Sequence, residues 1–299
     1  METQAHLLRD KIASGRFVIT TELTPPKGTD VADLLAKADA LRGLADAINL
    51  TESPRARMAI EPKSVARLLI ERGLEPIVQF TARDRNRIAL QSDILGAALL
   101  GVRNAIFMTG DDPKLGDHPQ AKPVFDLRAA EMLAAARALN GGHDLAGNKL
   151  HGAPQLFLGA TANPGAADLE AEIENTHRKV DAGAQFLQTQ AIYDAASLER
   201  YRSAAKLDGV ALIAGIIPLK SAKRAQWMNE NIPGIHVPAV LIEEMSAVAG
   251  DTDAELRTSI AITARIIDAI QPYCSGVHLM MMGWEKHIPA FLAATTLRA

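Results

Sequence analysis

Eight short runs rich in Val, Ile and Leu alternate with helical patterns along this chain, and nearly every run ends on a polar residue. The runs fall near residues 16–22, 46–51, 75–80, 103–109, 155–160, 185–190, 211–216 and 276–282. Apolar strands of this kind suit a parallel sheet covered on both faces. Glu22 ends the first run (Phe17-Val-Ile-Thr-Thr-Glu), Thr51 ends the second (Ala47-Ile-Asn-Leu-Thr), and Gln79 sits in the third. Thr109-Gly110-Asp111 ends the fourth, Thr161 and Asn163 follow the fifth, and Gln190 ends the sixth. In a closed sheet these ends converge on one face, where the loops of a (β/α)8 barrel build the active site. The alternation therefore predicts an α/β protein with a single (β/α)8 TIM barrel. A doubly wound open sheet is the alternative. No Gly-x-Gly-x-x-Gly follows the first strand, so a Rossmann dinucleotide site has no support.

Helical patterns fill the gaps at Asp30–Gly43, Pro62–Gly73, Asp84–Gly101, Leu127–Asn140, Asp168–Gly183, Ala195–Leu207 and Ser221–Asn231. Several end in Gly, the expected residue past a helix C-terminus. Two helices are expected between 238 and 271, where one would complete the pattern. No linker interrupts the chain, so residues 1–299 read as one catalytic domain. Two loops break the rhythm: Asp112–Pro123, on the expected active face as a binding loop or plain surface, and 141–154 on the opposite face.

Composition narrows the function classes. A net charge of −3 gives no electrostatic attraction to nucleic acid or anionic membrane, and an aromatic content of 4% argues against nucleobase stacking. The one cysteine, Cys274, excludes intrachain disulfides and any Cys-based zinc or iron–sulfur site. The opening Met1-Glu-Thr-Gln-Ala-His has no apolar signal core, and no run approaches the roughly 20 apolar residues of a membrane span, so a cytoplasmic location is expected. The eight histidines show no metal spacing, and no Gly-x-Ser-x-Gly elbow is present.

Three groups of residues could carry chemistry. Tandem prolines stop the chain just after Glu22 in Thr21-Glu-Leu-Thr-Pro-Pro-Lys, which holds the carboxylate at the barrel mouth. Near apolar neighbours a carboxyl keeps its proton more tightly, as a general acid requires; a salt bridge to a loop Lys or Arg is the alternative. In Thr109-Gly110-Asp111-Asp112-Pro113 the glycine lets backbone approach a ligand, and one acid projects inward for hydrogen bonding or metal ligation; an Asp-Pro turn is the bland reading. Asn175 and Lys179 lie four apart on one helix, where Lys179 could grip a phosphate, although spacing alone favours a solvated polar face.

Together these segments resemble the methylenetetrahydrofolate reductase family from about Phe17 to Leu292. The most specific pieces are Thr21-Glu-Leu-Thr-Pro-Pro-Lys, Thr109-Gly-Asp, and Arg178-Lys-Val-Asp-Ala-Gly-Ala continuing to Thr189-Gln190; Gly215-Ile-Ile-Pro218 and Val237-Pro238 add to them. The resemblance implies a barrel holding FAD, which passes a hydride from NADH or NADPH to 5,10-methylenetetrahydrofolate. It casts Glu22 as the general acid that assists ring opening and Asp111 as the acid between flavin and pterin. Gln190 would contact folate or nicotinamide, Thr51 would lie near both rings, and Glu172, Asn175 and Lys179 would hold the ribityl and diphosphate portion of FAD. On this basis the Asn175/Lys179 face becomes a flavin site.

Against the well-known bacterial pattern, Gln79 replaces a His, Thr109 an Arg and Thr161 an aromatic residue, all around the flavin. Arg224 and Trp284 stand where a Gln and an Arg usually contact folate. The Gly283-Trp-Glu-Lys ending resembles a branch found with one-carbon and corrinoid pathways. The expected function is thus flavin-dependent methylenetetrahydrofolate reduction. The alternatives are a flavin-free folate-binding methyl or methylene transferase, or an accessory subunit of a corrinoid system. Partner classes left open are a second copy of the chain, a protein electron donor and a corrinoid protein.

Overall fold

In the computed structural model, which describes residues 7–298, eight parallel strands close into one barrel in sequence order. They are β1 (Val18–Leu23), β2 (Ala47–Leu50), β3 (Pro76–Thr81), β4 (Asn104–Met108), β5 (Phe157–Ala162), β6 (Phe186–Ala191), β7 (Ala211–Ile216) and β8 (Gly276–Leu279). The expected (β/α)8 fold is the one observed. Helix α1 (Leu8–Ala13) precedes the first strand, and α2 (Ala32–Ala40), α3 (Pro62–Glu71), α4 (Arg87–Leu99), α5 (Ala129–Asn140) and α6 (Leu169–Ala182) cover the first part of the sheet. The rest are α7 (Ala195–Ala205), α8 (Ala222–Asn231), α9 (Ala239–Ser246), α10 (Thr252–Ile270) and α11 (Ile288–Ala293). The pair expected between 238 and 271 is α9 and α10. None of the helices among the described residues is long and apolar enough to cross a membrane. The charged opening stretch, residues 1–6, lies outside the described residues.

Side-chain oxygens define where the helices start. Asn86 accepts from the Ile88 and Ala89 amides, Asp168 from Ala171, Asp194 from Ser197 and Asp251 from Ala254. Each satisfies backbone donors that a helix N-terminus leaves unpaired, worth about 1 kcal/mol apiece. The eighth strand ends at Leu279, not at residue 282 as its apolar run suggested. Met282 turns into the left-handed region (φ 53°), and the Lys220 ammonium binds its carbonyl at 2.6 Å.

Inside the barrel the side chains sort into layers by strand alternation. Val18, Ala47, Ile77, Ile106, Phe157, Phe186, Ala211 and Ile213 pack an apolar floor, with the Phe157 and Phe186 rings stacked at 4.9 Å. Helix α1, which the periodicity did not reveal, plugs this floor with fully buried Leu8. The Leu8 amide donates to both carboxylate oxygens of Glu75 at 3.0 and 2.9 Å, and burial pushes the Glu75 pKa up. Above the floor lies a polar layer of Thr20, Asn49, Gln188 and His278, all buried. The helices enclose a second, larger apolar layer against the outside of the sheet.

The loop at 141–154 joins α5 to β5 at the end remote from the mouth, and its Leu145 amide donates to Gln91 Oε1 of α4 at 2.8 Å. The Asp112–Pro123 loop lies at the mouth. Asp117 in it accepts from Lys27 at 2.7 Å and from the Met58 amide at 3.0 Å, tying together three βα loops.

Candidate active site at the mouth of the barrel

Two cavities open side by side at the C-terminal ends of the strands. The first, of about 500 Å³, is lined by Glu22, Gln79, Thr109, Gly110, Asp111, Thr161, Asn163, Glu172, Asn175, Lys179 and Gln190, with His278 and Gln188 at its base. The second, of about 800 Å³, is bounded by Glu22, Thr51, Gln79, Arg55, Arg57 and the Asp117 loop. Glu22 and Gln79 belong to both walls.

Beneath Glu22 runs a chain of buried polar groups. Asn49 and Gln188 exchange amide hydrogen bonds at 2.7 and 3.1 Å, and the Gln188 amide reaches the Thr20 hydroxyl at 3.4 Å. That hydroxyl lies 3.0 Å from His278 Nδ1, and His278 Nε2 lies 3.8 Å from Glu22 Oε2. Parallel pairing of β1 with β8 sets Thr20 opposite His278 and so brings the imidazole under the carboxylate. Neither His278 nor this network was singled out in the sequence, where histidines were read only for metal spacing. A closed barrel was the missing premise: β8 must meet β1 before residue 278 can meet residue 22.

On the opposite wall α6 presents Glu172, Asn175 and Lys179 toward the first cavity. Lys179 is only 6% exposed, and its ammonium makes one hydrogen bond, to the Thr161 carbonyl at 2.7 Å. Burial lowers its pKa, while the nearby charge of Glu172 works the other way. Glu172 accepts from the Asn163 amide at 2.9 Å and from Asn175 Nδ2 at 3.2 Å, which fixes the strand-to-helix turn. Asn163 Oδ1 is buried without a hydrogen-bond partner among the described residues. On one wall, an ammonium with donors to spare suits an anionic oxygen of a ligand, and the unpaired amide oxygen suits a hydroxyl or N–H donor.

Of the two acids after β4, Asp111 lines the first cavity, and one of its oxygens accepts the Arg55 amide at 2.7 Å. Asp112 instead caps a short turn through the Lys114 amide, as the Asp-Pro reading allowed. Gly110 between strand and acid has φ 86°, and a Cβ there would sit 3.0 Å from Thr81 Cβ. Gln190 arrives through a register shift between β6 and β7, where the Gly215 amide donates to Thr189 Oγ1 at 2.9 Å. A Cβ on Gly215 would lie 2.2 Å from the Thr189 carbonyl oxygen, so a side chain there would break this arrangement.

Three sequence-predicted residues stand elsewhere. Thr51 is buried and hydrogen-bonds to Thr24 at 3.1 Å on the wall of the second cavity. Arg224 lies exposed on α8 with its guanidinium stacked 4.2 Å above the Trp227 ring, outside both cavities. Trp284 packs beside Phe291 and under the Lys220 ammonium, 5.0 Å from its ring, also outside both cavities. A further pair escaped the sequence reading. Glu52, 8% exposed, binds the Arg85 guanidinium through both oxygens at 2.7 Å and takes the Thr81 amide at 2.6 Å, and so stiffens the β2–β3 edge of the mouth.

With this geometry in hand, likeness to known proteins is informative. The sequence profile of the methylenetetrahydrofolate reductase family matches residues 7–296. The 5,10-methylenetetrahydrofolate reductase of Pectobacterium carotovorum is 26% identical over 251 residues, covering 82% of this chain and 78% of that protein. Methylenetetrahydrofolate reductase 2 of Schizosaccharomyces pombe is 21% identical over 299 residues, covering 95% of this chain but 46% of the yeast protein. Among solved structures, a Clostridium thermocellum protein that binds two copies of 5-methyl-5,6,7,8-tetrahydrofolic acid matches with TM-score 0.58 over 96% of each chain. At 16% identity that likeness speaks for the fold alone.

Proposed function

The chain belongs to the methylenetetrahydrofolate reductase family and is an enzyme of that class, and we propose that its barrel mouth reduces 5,10-methylenetetrahydrofolate to 5-methyltetrahydrofolate with Glu22 as proton donor. The observation that carries this reading is one cavity lined together by Glu22 of β1, Asp111 of the loop after β4, Gln190 of β6 and Lys179 of α6. The family match and the reductases named above support a folate substrate.

Glu22 gives its proton to the amine nitrogen that leaves as the five-membered ring opens, and the methylene carbon becomes an iminium carbon. His278 Nε2, 3.8 Å from Glu22 Oε2, offers that carboxyl a polar partner from below, and the Thr20–Gln188–Asn49 chain holds the imidazole in place. Asp111 spends one oxygen on the Arg55 amide, and its negative charge stabilises the iminium cation. Gln190 contributes an amide to the pterin edge. FAD fits the opposite wall, where Lys179, Asn175 and Asn163 would hold its ribityl and diphosphate portion, with Gly110 and Thr161 along the ring. Bound there, the flavin supplies the hydride that completes the methyl group. NADH, NADPH or a protein electron donor would supply the reducing equivalents.

The test is direct. Purified protein is given 5,10-methylenetetrahydrofolate, NADH or NADPH, and FAD, with 5-methyltetrahydrofolate measured by chromatography. Product with either dinucleotide is expected. No product with either, even after dithionite reduction of added FAD, overturns the assignment.

A further inference from the structure

We propose that Glu52 is a positioning residue for Asp111: its buried carboxylate anchors both of the loops whose hydrogen bond holds the Asp111 side chain at the cavity. The proposal rests on the reductase reading above, in which Asp111 stabilises the iminium cation, and adds the residue that fixes its place.

Asp111 needs such an anchor. It is exposed, it follows a glycine in the left-handed region, and its carboxylate makes one hydrogen bond among the described residues, accepting the Arg55 amide at 2.7 Å. A carboxylate that stabilises a developing cation works through a fixed distance from it, so a wandering Asp111 would lose most of its effect. Glu52 lines neither cavity. Whatever it does for a ligand passes through the residues it holds.

The Arg55 side of the bond starts at Glu52. Ser53, Arg55 and Ala56 have φ of 42°, 56° and 53°, left-handed values that such residues keep only where their surroundings impose them. Glu52, immediately before this turn, donates its amide to Gln79 Oε1 at 3.4 Å, and its carboxylate is clasped between Arg85 and Thr81. One residue further on, Arg83 donates to the Ser53 carbonyl at 3.3 Å.

The Asp111 side leads back to the same carboxylate. Glu52 Oε2 accepts the Thr81 amide at 2.6 Å and the Thr81 hydroxyl at 2.8 Å. Thr81 pairs with Met108 across β3 and β4, and its side chain supports the turn that follows. A Cβ added to Gly110 would lie 3.0 Å from Thr81 Cβ and 3.3 Å from Arg83 Cβ, so the Gly110 backbone rests on these two residues. Asp111 comes next in the chain. One carboxylate thus sets both partners of the Asp111–Arg55 hydrogen bond. Arg85 has a second acid, Asp93 at 2.9 Å, whereas the Thr81 hydroxyl bonds to Glu52 alone among the described residues.

The experiment reads the coupling between Glu52 and Asp111. Glu52→Ala and Glu52→Gln are made in wild-type protein and in Asp111→Asn, with circular dichroism to verify folding. Reduction of 5,10-methylenetetrahydrofolate by the pre-reduced, FAD-loaded protein is timed over a range of folate concentrations. Deuterium exchange of the peptide carrying the Arg55 amide is followed without ligand. Glu52→Ala should lower the maximal rate roughly tenfold and leave folate half-saturation within about twofold. Glu52→Gln keeps an oxygen for Thr81 but loses the charge toward Arg85, and should recover most of that loss. In Asp111→Asn, adding Glu52→Ala should cost less than about a further twofold. Exchange at Arg55 should be faster in Glu52→Ala than in wild type. Where Glu52→Ala does not fold, Thr81→Val takes its place, with a rate loss expected in wild type and absent in Asp111→Asn. Losses that multiply in the double variant overturn the proposal, as does Glu52→Gln no better than Glu52→Ala, or Asp111→Asn at the wild-type rate. A wild-type protein that does not reduce the folate sinks the reductase reading instead, and exchange then decides alone: acceleration at Arg55 keeps Glu52 as the anchor, and unchanged exchange removes it.

Discussion

Lys179→Met separates what this residue does for the fold from what it does for a ligand. The ammonium is 6% exposed, makes one hydrogen bond to the Thr161 carbonyl at 2.7 Å, and has no carboxylate within ion-pair distance among the described residues. Methionine has nearly the same reach and no charge. Removing the buried charge recovers a desolvation cost of several kcal/mol, while losing the charged hydrogen bond and leaving Thr161 unpaired costs about 1.5–3 kcal/mol. The two oppose each other, so the ligand-free variant should differ from wild type by no more than about 2 kcal/mol in urea unfolding. A ligand phosphate, by contrast, loses a charge-assisted contact worth about 1.5–3 kcal/mol, so FAD should bind roughly 10- to 150-fold more weakly. The pH dependence has a definite sign. Burial lowers the Lys179 pKa, so the unfolded chain holds that proton more tightly than the folded one. Wild-type stability should therefore rise as pH climbs from the folded value toward the roughly 10.4 of a free lysine, and Lys179→Met should lack that rise. Unchanged FAD affinity, or destabilisation well beyond about 4 kcal/mol, would show that Lys179 is a structural residue and refute the reasoning.

Three further perturbations have defined outcomes. Glu52→Ala breaks a bidentate, partly buried pair with Arg85, which keeps Asp93 at 2.9 Å, and should lower unfolding free energy by about 1–3 kcal/mol, read from the urea midpoint; an unchanged midpoint would contradict the pairing. Gly215→Ala forces a Cβ against the Thr189 carbonyl oxygen, so it should cost about 1–3 kcal/mol and raise the folate KM by displacing Gln190; wild-type kinetics would show the register shift to be unimportant. His278→Phe removes the partner 3.8 Å from Glu22 and should lower kcat by about tenfold or more with dinucleotide affinity retained; equal loss of dinucleotide binding would mean a general collapse of the mouth.

The barrel was legible because its signal is local. Each strand's apolar run and each helix's cap sit within a few residues, and the structure places all eight strands within about two residues of the sequence reading except at the end of β8. The clustering of Glu22, Asp111, Gln190 and the Lys179 face in one cavity was legible only through resemblance, since spacing alone favoured a solvated helix face for Lys179. What escaped depends on closure. His278 reaches Glu22 only across the β1–β8 seam, Glu52 finds Arg85 only once β2 and β3 align, and α1 matters only as a plug for an interior that must first exist. Arg224 is the opposite case: its stacking on Trp227, three residues along the same helix, was within reach of a local argument.

The most direct test of the central claim is Glu22→Gln, assayed as two separate half-reactions under anaerobic conditions. Reduction of the bound flavin by the dinucleotide is followed by its visible absorbance, and folate reduction by 5-methyltetrahydrofolate formed. With Glu22 as proton donor, flavin reduction should stay near wild type, while folate reduction should fall by roughly 10²- to 10⁴-fold. Equal loss in both half-reactions, or folate turnover at the wild-type rate, would contradict the role assigned to Glu22.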